Sequence, residues 1–306
     1  MPIFSTCYRN LTPKSWVRCF FALFTSLALQ SAAAEPQISS MRYPSGELDI
    51  NGRFCAANIA QFPGARPLIL FNHGGVSGVG LNSERRMLEL CRLGYSVAAS
   101  SYRGEEGSDG EIEVALGEVD DVLALLTHLK SAPLIDPPIL DFGRVALLGF
   151  SHGALISLQA AKRQPQAFKA LVFAYGVADI EIWYQYLHKT NQLGEDELTQ
   201  RIYGRGPVLS PQNFQSRHGM LKLDQIASDL PILIVQGQRD VIVPASQAEL
   251  LFSALTQLGK RVAIHRSPNG RHGYLIRREA IVGKEKRESD LAWLAINTFL
   301  AAKLSP

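Results

Sequence analysis

No nucleotide-binding signature occurs in the chain. Neither G-x-x-x-x-G-K-[ST] nor G-x-G-x-x-G behind a first strand is present, which argues against a phosphate-cradling ligand. Cysteine is scarce: the 306 residues hold four, and none has metal-ligand spacing with a histidine. An excess of one charge is missing as well. The formal net charge of +3 comes from Arg9, Lys14 and Arg18 in an acid-free opening stretch, and without those three of 31 basic residues the rest balance the 28 acidic ones. Nothing in that balance points to nucleic acid or an anionic membrane as partner. Internal repeats and low-complexity segments are absent, and beyond residue 34 no run is long and apolar enough to cross a bilayer. A content of 46% hydrophobic and 19% charged residues describes an ordinary globular chain.

The opening stretch has the form of a secretory signal. Three basic residues precede a short apolar core, Cys19 to Leu29, and Ser31-Ala32-Ala33-Ala34 supplies small residues for cleavage, most simply after Ala34. The expectation is a signal peptide over 1–34, a mature chain over 35–306, and export to the periplasm or medium. An uncleaved anchor is the alternative. No cysteine stands at the cleavage site to carry a lipid, so no stable membrane partner is expected. Of the cysteines, Cys7 and Cys19 leave with the signal. Cys55 and Cys91 remain, and a single pair reads more simply as two buried free thiols than as a disulfide.

What is present is an alternation of strand and helix patterns. Met41 to Ala57 reads as a hairpin about Pro44-Ser45-Gly46. Compact apolar runs follow at Pro67–Asn72, Tyr95–Ser101, Arg144–Leu148, Ala170–Ala174, Pro231–Gln236 and Arg261–Arg266. Helical spacing marks 84–93, 113–130, 154–163, 247–258 and 288–304. This order predicts an α/β fold, a mostly parallel sheet with helices on both faces. Ligands in such folds lie beyond the carboxyl ends of the strands. One stretch, about 180–230, interrupts the alternation with Trp183, Tyr184, Tyr186, Tyr203 and Phe214, and reads as a cap-like insert.

Gly149-Phe150-Ser151-His152-Gly153 lies at a strand-to-helix junction. A serine lifted on such a turn is exposed above the sheet, with the free N–H groups of a helix start beside it. A serine hydroxyl needs a base within reach, and the base needs an orienting acceptor. Asp240 and His272 each follow a predicted strand and complete the order Ser-Asp-His. Asp179 also follows a strand and is the alternative acid, lying farther behind the strand end. The predicted oxyanion donors are the His152 backbone N–H and that of Gly75 or Val76, in the loop His73-Gly74-Gly75-Val76. The His152 ring is expected to point elsewhere. His265 reads as structural, His128 as solvated, and His188 and His218 as without a role. Glu105 and Glu106 read as a solvated pair in a Gly-rich loop, with cationic-substrate binding as the sharper alternative.

Together H-G-G, Y-R-G, G-F-S-H-G, G-Q-R-D-V-I-V-P and R-H-G, in this order, resemble the α/β-hydrolase superfamily. Within it the chain is similar to the catalytic domain of the prolyl oligopeptidase group and to dienelactone-hydrolase-like esterases, over about Leu68 to Leu300. The resemblance implies the α/β-hydrolase fold, Ser151, Asp240 and His272 as nucleophile, acid and base, and no metal or organic cofactor. It departs from the peptidases at the elbow, at Y-R-G-E-E-G, and in having no stretch for a β-propeller. The expected activity is therefore hydrolysis of small-molecule carboxylic esters through an acyl-enzyme. A peptidase on short peptides and a non-catalytic binding protein on the same scaffold are the alternatives.

Overall fold

Residues 67–72 explain the architecture. In the computed structural model, which describes residues 35–58, 60–131, 140–277 and 281–305, they lie in a central strand buried on both faces. Leu68 and Leu70 enter one core and Ile69 and Phe71 the other. That is the two-residue period of a strand between two layers. The expected signal segment, 1–34, lies outside the described residues.

Among the described residues, eight strands form one sheet. They are β1 (Ser39–Ser45), β2 (Leu48–Cys55), β3 (Arg66–Asn72), β4 (Ser96–Ser100), β5 (Leu140–Phe150), β6 (Ala170–Ala174), β7 (Ile232–Gly237) and β8 (Val262–Ser267). Their order is β1-β2-β4-β3-β5-β6-β7-β8. The β1–β2 and β2–β4 pairs are antiparallel and all others parallel. Pro44 sits in the edge strand β1, where a missing N–H is tolerated. The hairpin turns at Gly46, whose φ of 60° suits glycine.

Helices α1 (Gly80–Arg92), α2 (Gly117–Ser131), α3 (His152–Arg163), α8 (Ser246–Gln257) and α9 (Gly283–Leu304) connect or follow the parallel strands. Side chains of α2, α3 and α8 fill one core, with Val122, Leu155 and Leu251 among them. Those of α1 and α9 fill the other, with Met87, Leu90, Trp293 and Ile296. The chain leaves β3 toward β4, then returns past β3 to β5. The carboxyl ends of β3 and β5 are therefore the switch point of the sheet, where a crevice opens.

Several boundaries differ from the sequence reading for local reasons. The helix expected from Glu113 starts at Gly117, because Val114 and Ala115 have φ of 58° and 59°. Their turn is held by buried Glu118, whose carboxylate accepts from the N–H groups of Glu113, Val114 and Leu116. Helices α1 and α9 begin earlier than expected, and β5 extends back to Leu140.

Cys55 and Cys91 are joined in a disulfide, not free. Cys55 ends β2 and Cys91 lies in α1. Both belong to the same core, with Cα atoms 6.4 Å apart. A spacing of 36 residues carries no information about that shared face.

The insert between β6 and β7 contains four short α-helices, α4 (Ile180–Lys189), α5 (Glu197–Tyr203), α6 (Gly206–Leu209) and α7 (Pro211–Gln215), and a 3-10 turn at Leu223–Gln225. Val177, Ile180, Ile202, Tyr203, Phe214 and Val243 form a small separate core beneath them. Asp179 and Asp196 cap the first two helices by accepting backbone N–H groups. Among the described residues, no helix is long and apolar enough to cross a membrane. No group of three or more His, Cys, Asp or Glu among them is placed to hold a metal ion.

Candidate active site

The turn between β5 and α3 puts Ser151 at φ 54° and ψ −117°. Such a conformation costs a non-glycine residue on the order of 1–3 kcal/mol and survives only where its surroundings enforce it. They do here. A Cβ at Gly149 would lie 2.3 Å from the Gly153 carbonyl oxygen, and one at Gly153 would lie 2.1 Å from that of Asn72. The Ser151 N–H donates to Ala174 O at 2.9 Å. Asn72 Nδ2 donates to Ser157 Oγ at 2.8 Å, and Ser157 donates to Gly153 O at 2.7 Å, so β3 braces the first turn of α3.

The loops after β7 and β8 are built as one unit. Gly237 and Gly270 pack so closely that a Cβ on Gly237 would lie 2.3 Å from the Gly270 oxygen. Gln238 N donates to Ser267 O and Arg239 N to Gly270 O. Tyr274 fixes the base of the second loop through Ser267, and Glu285 holds Arg271 by its backbone and side chain. In this frame Asp240 Oδ1 accepts the Ile242 and Val243 N–H groups at 2.9 and 2.8 Å. Its Oδ2 accepts Nδ1–H of His272 at 2.8 Å. With that tautomer, Ser151 Oγ–H donates to His272 Nε2 at 3.0 Å. The Asp240 side chain is fully buried and that of His272 is 16% exposed. Tyr175 lies edge-on to the His272 ring at 5.1 Å and limits its tilt, a contact with no signal in the sequence.

Asp179, the alternative acid, does not take part. Its Oδ1 accepts the Glu181 and Ile182 N–H groups, and the histidine beside it, at 3.5 Å, is His218. His218 was expected to have no role; in the structure its Nδ1 also accepts the Met220 N–H.

The loop after β3 lies against the serine. A Cβ on Gly74 would meet Ser151 Cβ at 3.0 Å and Phe150 O at 2.9 Å. Gly75 turns at φ 74°, and Val76 is 40% exposed. The His152 ring is engaged away from the Ser151 hydroxyl: its Nδ1–H donates to Gly75 O at 3.0 Å, tying this loop to the elbow. The ring's affinity for a second proton is lowered by burial. Thus the loop that carries Gly75 and Val76 is joined to the elbow at Gly74 and at His152.

The expectation for Glu105 and Glu106 fails. Glu105 is buried, and its Oε2 accepts the Gly78 N–H. Glu106 accepts Ser101 Oγ–H at 2.6 Å and pairs with Arg53. The Gly-rich loop folds inward onto residues 78–80, where backbone donors replace water. His73, read only as part of a turn, is buried and stacks on Tyr102 at 4.2 Å.

This arrangement can deprotonate a serine against a carbonyl carbon and store the proton on an imidazole braced by a carboxylate. Comparison with known proteins agrees on the class. Among curated proteins, the uncharacterized peptidase YtmA of Bacillus subtilis is 25% identical over 200 residues, 65% of this chain and 73% of that one. The acylamino-acid-releasing enzyme of Arabidopsis thaliana is 27% identical over 67% of this chain, which spans only 27% of it. Among solved structures, the Pyrococcus horikoshii acylaminoacyl peptidase superposes with a TM-score of 0.70 at 21% identity, over 93% of this chain and 43% of that one. A Pyrococcus furiosus esterase gives 0.64 at 16% identity, over 98% and 97%. Both share the α/β-hydrolase fold. The model of the prolyl oligopeptidase family matches residues 82–297, the span that carries the elbow, Asp240 and His272, and the chain belongs to that family of serine hydrolases.

Proposed function

We propose that this protein is a serine peptidase acting on short peptides, with Ser151 as nucleophile, His272 as general base and acid, and Asp240 as the group that orients His272. The reading rests on one observation: an unbroken Asp240–His272–Ser151 hydrogen-bond chain in a chain several of whose curated relatives are named peptidases. Ester preference rested on the want of a peptide-handling domain. The match to YtmA, a protein named a peptidase, already takes in 73% of its length, so that argument loses its force.

In the reaction, Ser151 Oγ attacks the scissile carbonyl and passes its proton to His272 Nε2. The carbonyl oxygen becomes negative and is met by the His152 N–H and by that of Gly75 or Val76. The C–N bond breaks as Nε2–H gives its proton to the leaving nitrogen, which leaves an acyl-Ser151. Water then gives a proton to His272 and attacks the acyl carbon; the C–Oγ bond breaks, the proton returns to Ser151 Oγ, and the acid is released. Amide cleavage needs that protonated leaving group; an activated ester does not, so esters are turned over as well.

In this reading the insert serves as a cap beside the site. Trp183 Nε1–H donates to Ile242 O at 2.8 Å and Tyr186 Oη–H to Val241 O at 2.7 Å, on the loop that carries Asp240. An oxidising, exported location agrees with the signal-like residues 1–34 and the Cys55–Cys91 bridge.

The test is a substrate panel on purified protein: free and N-acylated aminoacyl anilides, prolyl anilides and p-nitrophenyl butyrate, with Ser151→Ala as control. Turnover of one class of anilide that is lost in Ser151→Ala is expected. Turnover of the ester with none of any anilide overturns the peptidase reading in favour of an esterase.

A further inference from the structure

Behind the loop that faces Ser151 lies a buried acid the reaction does not touch. The side chain of Glu105 is 0% exposed and that of His73 is 1% exposed, with His73 Nε2 and Glu105 Oε2 3.9 Å apart. Among the described residues, neither His73 Nε2 nor Glu105 Oε1 has a hydrogen-bond partner. His73 Nδ1–H is already committed to Gly74 O at 3.2 Å, so Nε2 of the neutral ring offers only a lone pair. A carboxylate facing that lone pair would be a buried charge balanced by a single N–H, from Gly78. The other groups around it do not help: Glu106 and Glu118 add negative charge, and Tyr102, which covers His73, is a neutral phenol. Arg53, which reaches the neighbouring Glu106, is engaged by Glu84 and Glu106.

We propose, building on the peptidase reading, that Glu105 is a positioning residue for the oxyanion loop, holding Gly78 and packing against His73 as an uncharged acid, and that its ionisation slows acylation. The mechanical path is short. Glu105 holds Gly78 and abuts His73; His73 bonds to Gly74; Gly74 touches Ser151 Cβ, and Gly75 is tied to His152. The electrostatic path is shorter. A carboxylate behind the loop opposes the negative charge that its N–H groups must stabilise. Burial supports the neutral state by pushing the Glu105 carboxyl up to about 8, against the opposing Gly78 N–H bond. Burial also lowers His73 to about 4, so at neutral pH the proton of this pair sits on Glu105.

The experiment is a pH series of kcat and KM for the wild type and Glu105→Gln on the best anilide, with infrared difference spectra of protein carrying ¹³C-labelled glutamate. Expected for the wild type is a kcat that declines above about pH 8, approaching about tenfold per pH unit, at unchanged KM. Glu105→Gln keeps the Gly78 acceptor and cannot ionise, so its alkaline limb moves upward. A protonated glutamate C=O band should be present near neutral pH, vanish with the same midpoint, and be missing in the variant. An alkaline limb shared by both proteins, or no protonated band near neutral pH, overturns the inference. If Glu105→Gln does not fold, the wild-type band and its midpoint against the kcat limb decide alone: coincidence supports the inference and disagreement overturns it. Wild-type protein that shows the band but neither turns over substrate nor takes a fluorophosphonate on Ser151 overturns the peptidase reading, and the role in acylation with it. An enzyme that labels and turns over normally without the band overturns the inference only.

Discussion

The turns after β6 and β7 are near copies with different outcomes. Each ends a buried parallel strand at the same sheet edge, and each carries an aspartate whose Oδ1 accepts two N–H groups two and three residues ahead. Each aspartate also has a histidine beside it, His218 for Asp179 and His272 for Asp240. The division of labour between the oxygens separates them. Asp240 gives Oδ1 to its turn and Oδ2 to Nδ1 of His272, leaving the far nitrogen for Ser151. Asp179 uses Oδ1 for both its helix cap and His218, whose other nitrogen accepts a backbone N–H. An aspartate after a strand is thus a local stabiliser by default. It becomes a partner in chemistry when its second oxygen meets a histidine with a free far side.

The sharpest way to break that comparison is to neutralise each acid in turn. Asp240→Asn should lower kcat by about 10³–10⁴-fold, because the amide no longer fixes the productive His272 tautomer. Asp179→Asn should leave kcat within about twofold, since it touches no reacting group. Steady-state kinetics with an anilide reads both, and equal losses would dissolve the distinction. A control far from both turns separates stability from chemistry. Cys91→Ser opens a loop of 36 residues and should cost about 3–4 kcal/mol by the chain-entropy model, read as a lower Tm. Its kcat per folded molecule should not change.

Glu105 supplies an acid of the opposite kind, buried without a matching charge. Its pKa is raised in the folded state to about 8, so the native chain keeps a proton that the unfolded chain releases. Stability must therefore fall as pH rises from the ordinary carboxylate range toward about 8. Thermal melts should show the Tm advantage of Glu105→Gln growing across that window; a constant difference would contradict a neutral buried acid. The smallest effect is expected at the cap. Asp179→Ala removes the α4 N-cap and should cost about 1 kcal/mol in a denaturant titration with no loss of kcat.

The elements that repeat a simple period were legible in the sequence. Leu68 to Phe71 alternates between two cores, and runs such as Ala170–Ala174 are buried throughout, so the parallel sheet could be read from composition and spacing. The elbow was legible because Gly149 and Gly153 are imposed by backbone contacts that admit no side chain. What stayed hidden depends on which faces meet. Cys55 and Cys91 pair because the end of β2 and one side of α1 share a core. Glu105 and Glu106 look solvated until the loop folds onto residues 78–80, whose backbone N–H groups draw them in. The start of α2 is not legible because Glu118 favours a non-helical turn at Val114 and Ala115 that helical spacing cannot reveal. The role of the His152 ring is hidden because its partner, Gly75 O, lies 77 residues away in the chain.

The most direct measurement is active-site labelling with a fluorophosphonate, with the modified peptide identified by mass spectrometry in the wild type, Ser151→Ala and Asp240→Asn. The account predicts a single phosphonylated site at Ser151, none in Ser151→Ala, and greatly slowed labelling in Asp240→Asn. Label on another residue, or undiminished labelling of Asp240→Asn, would contradict it.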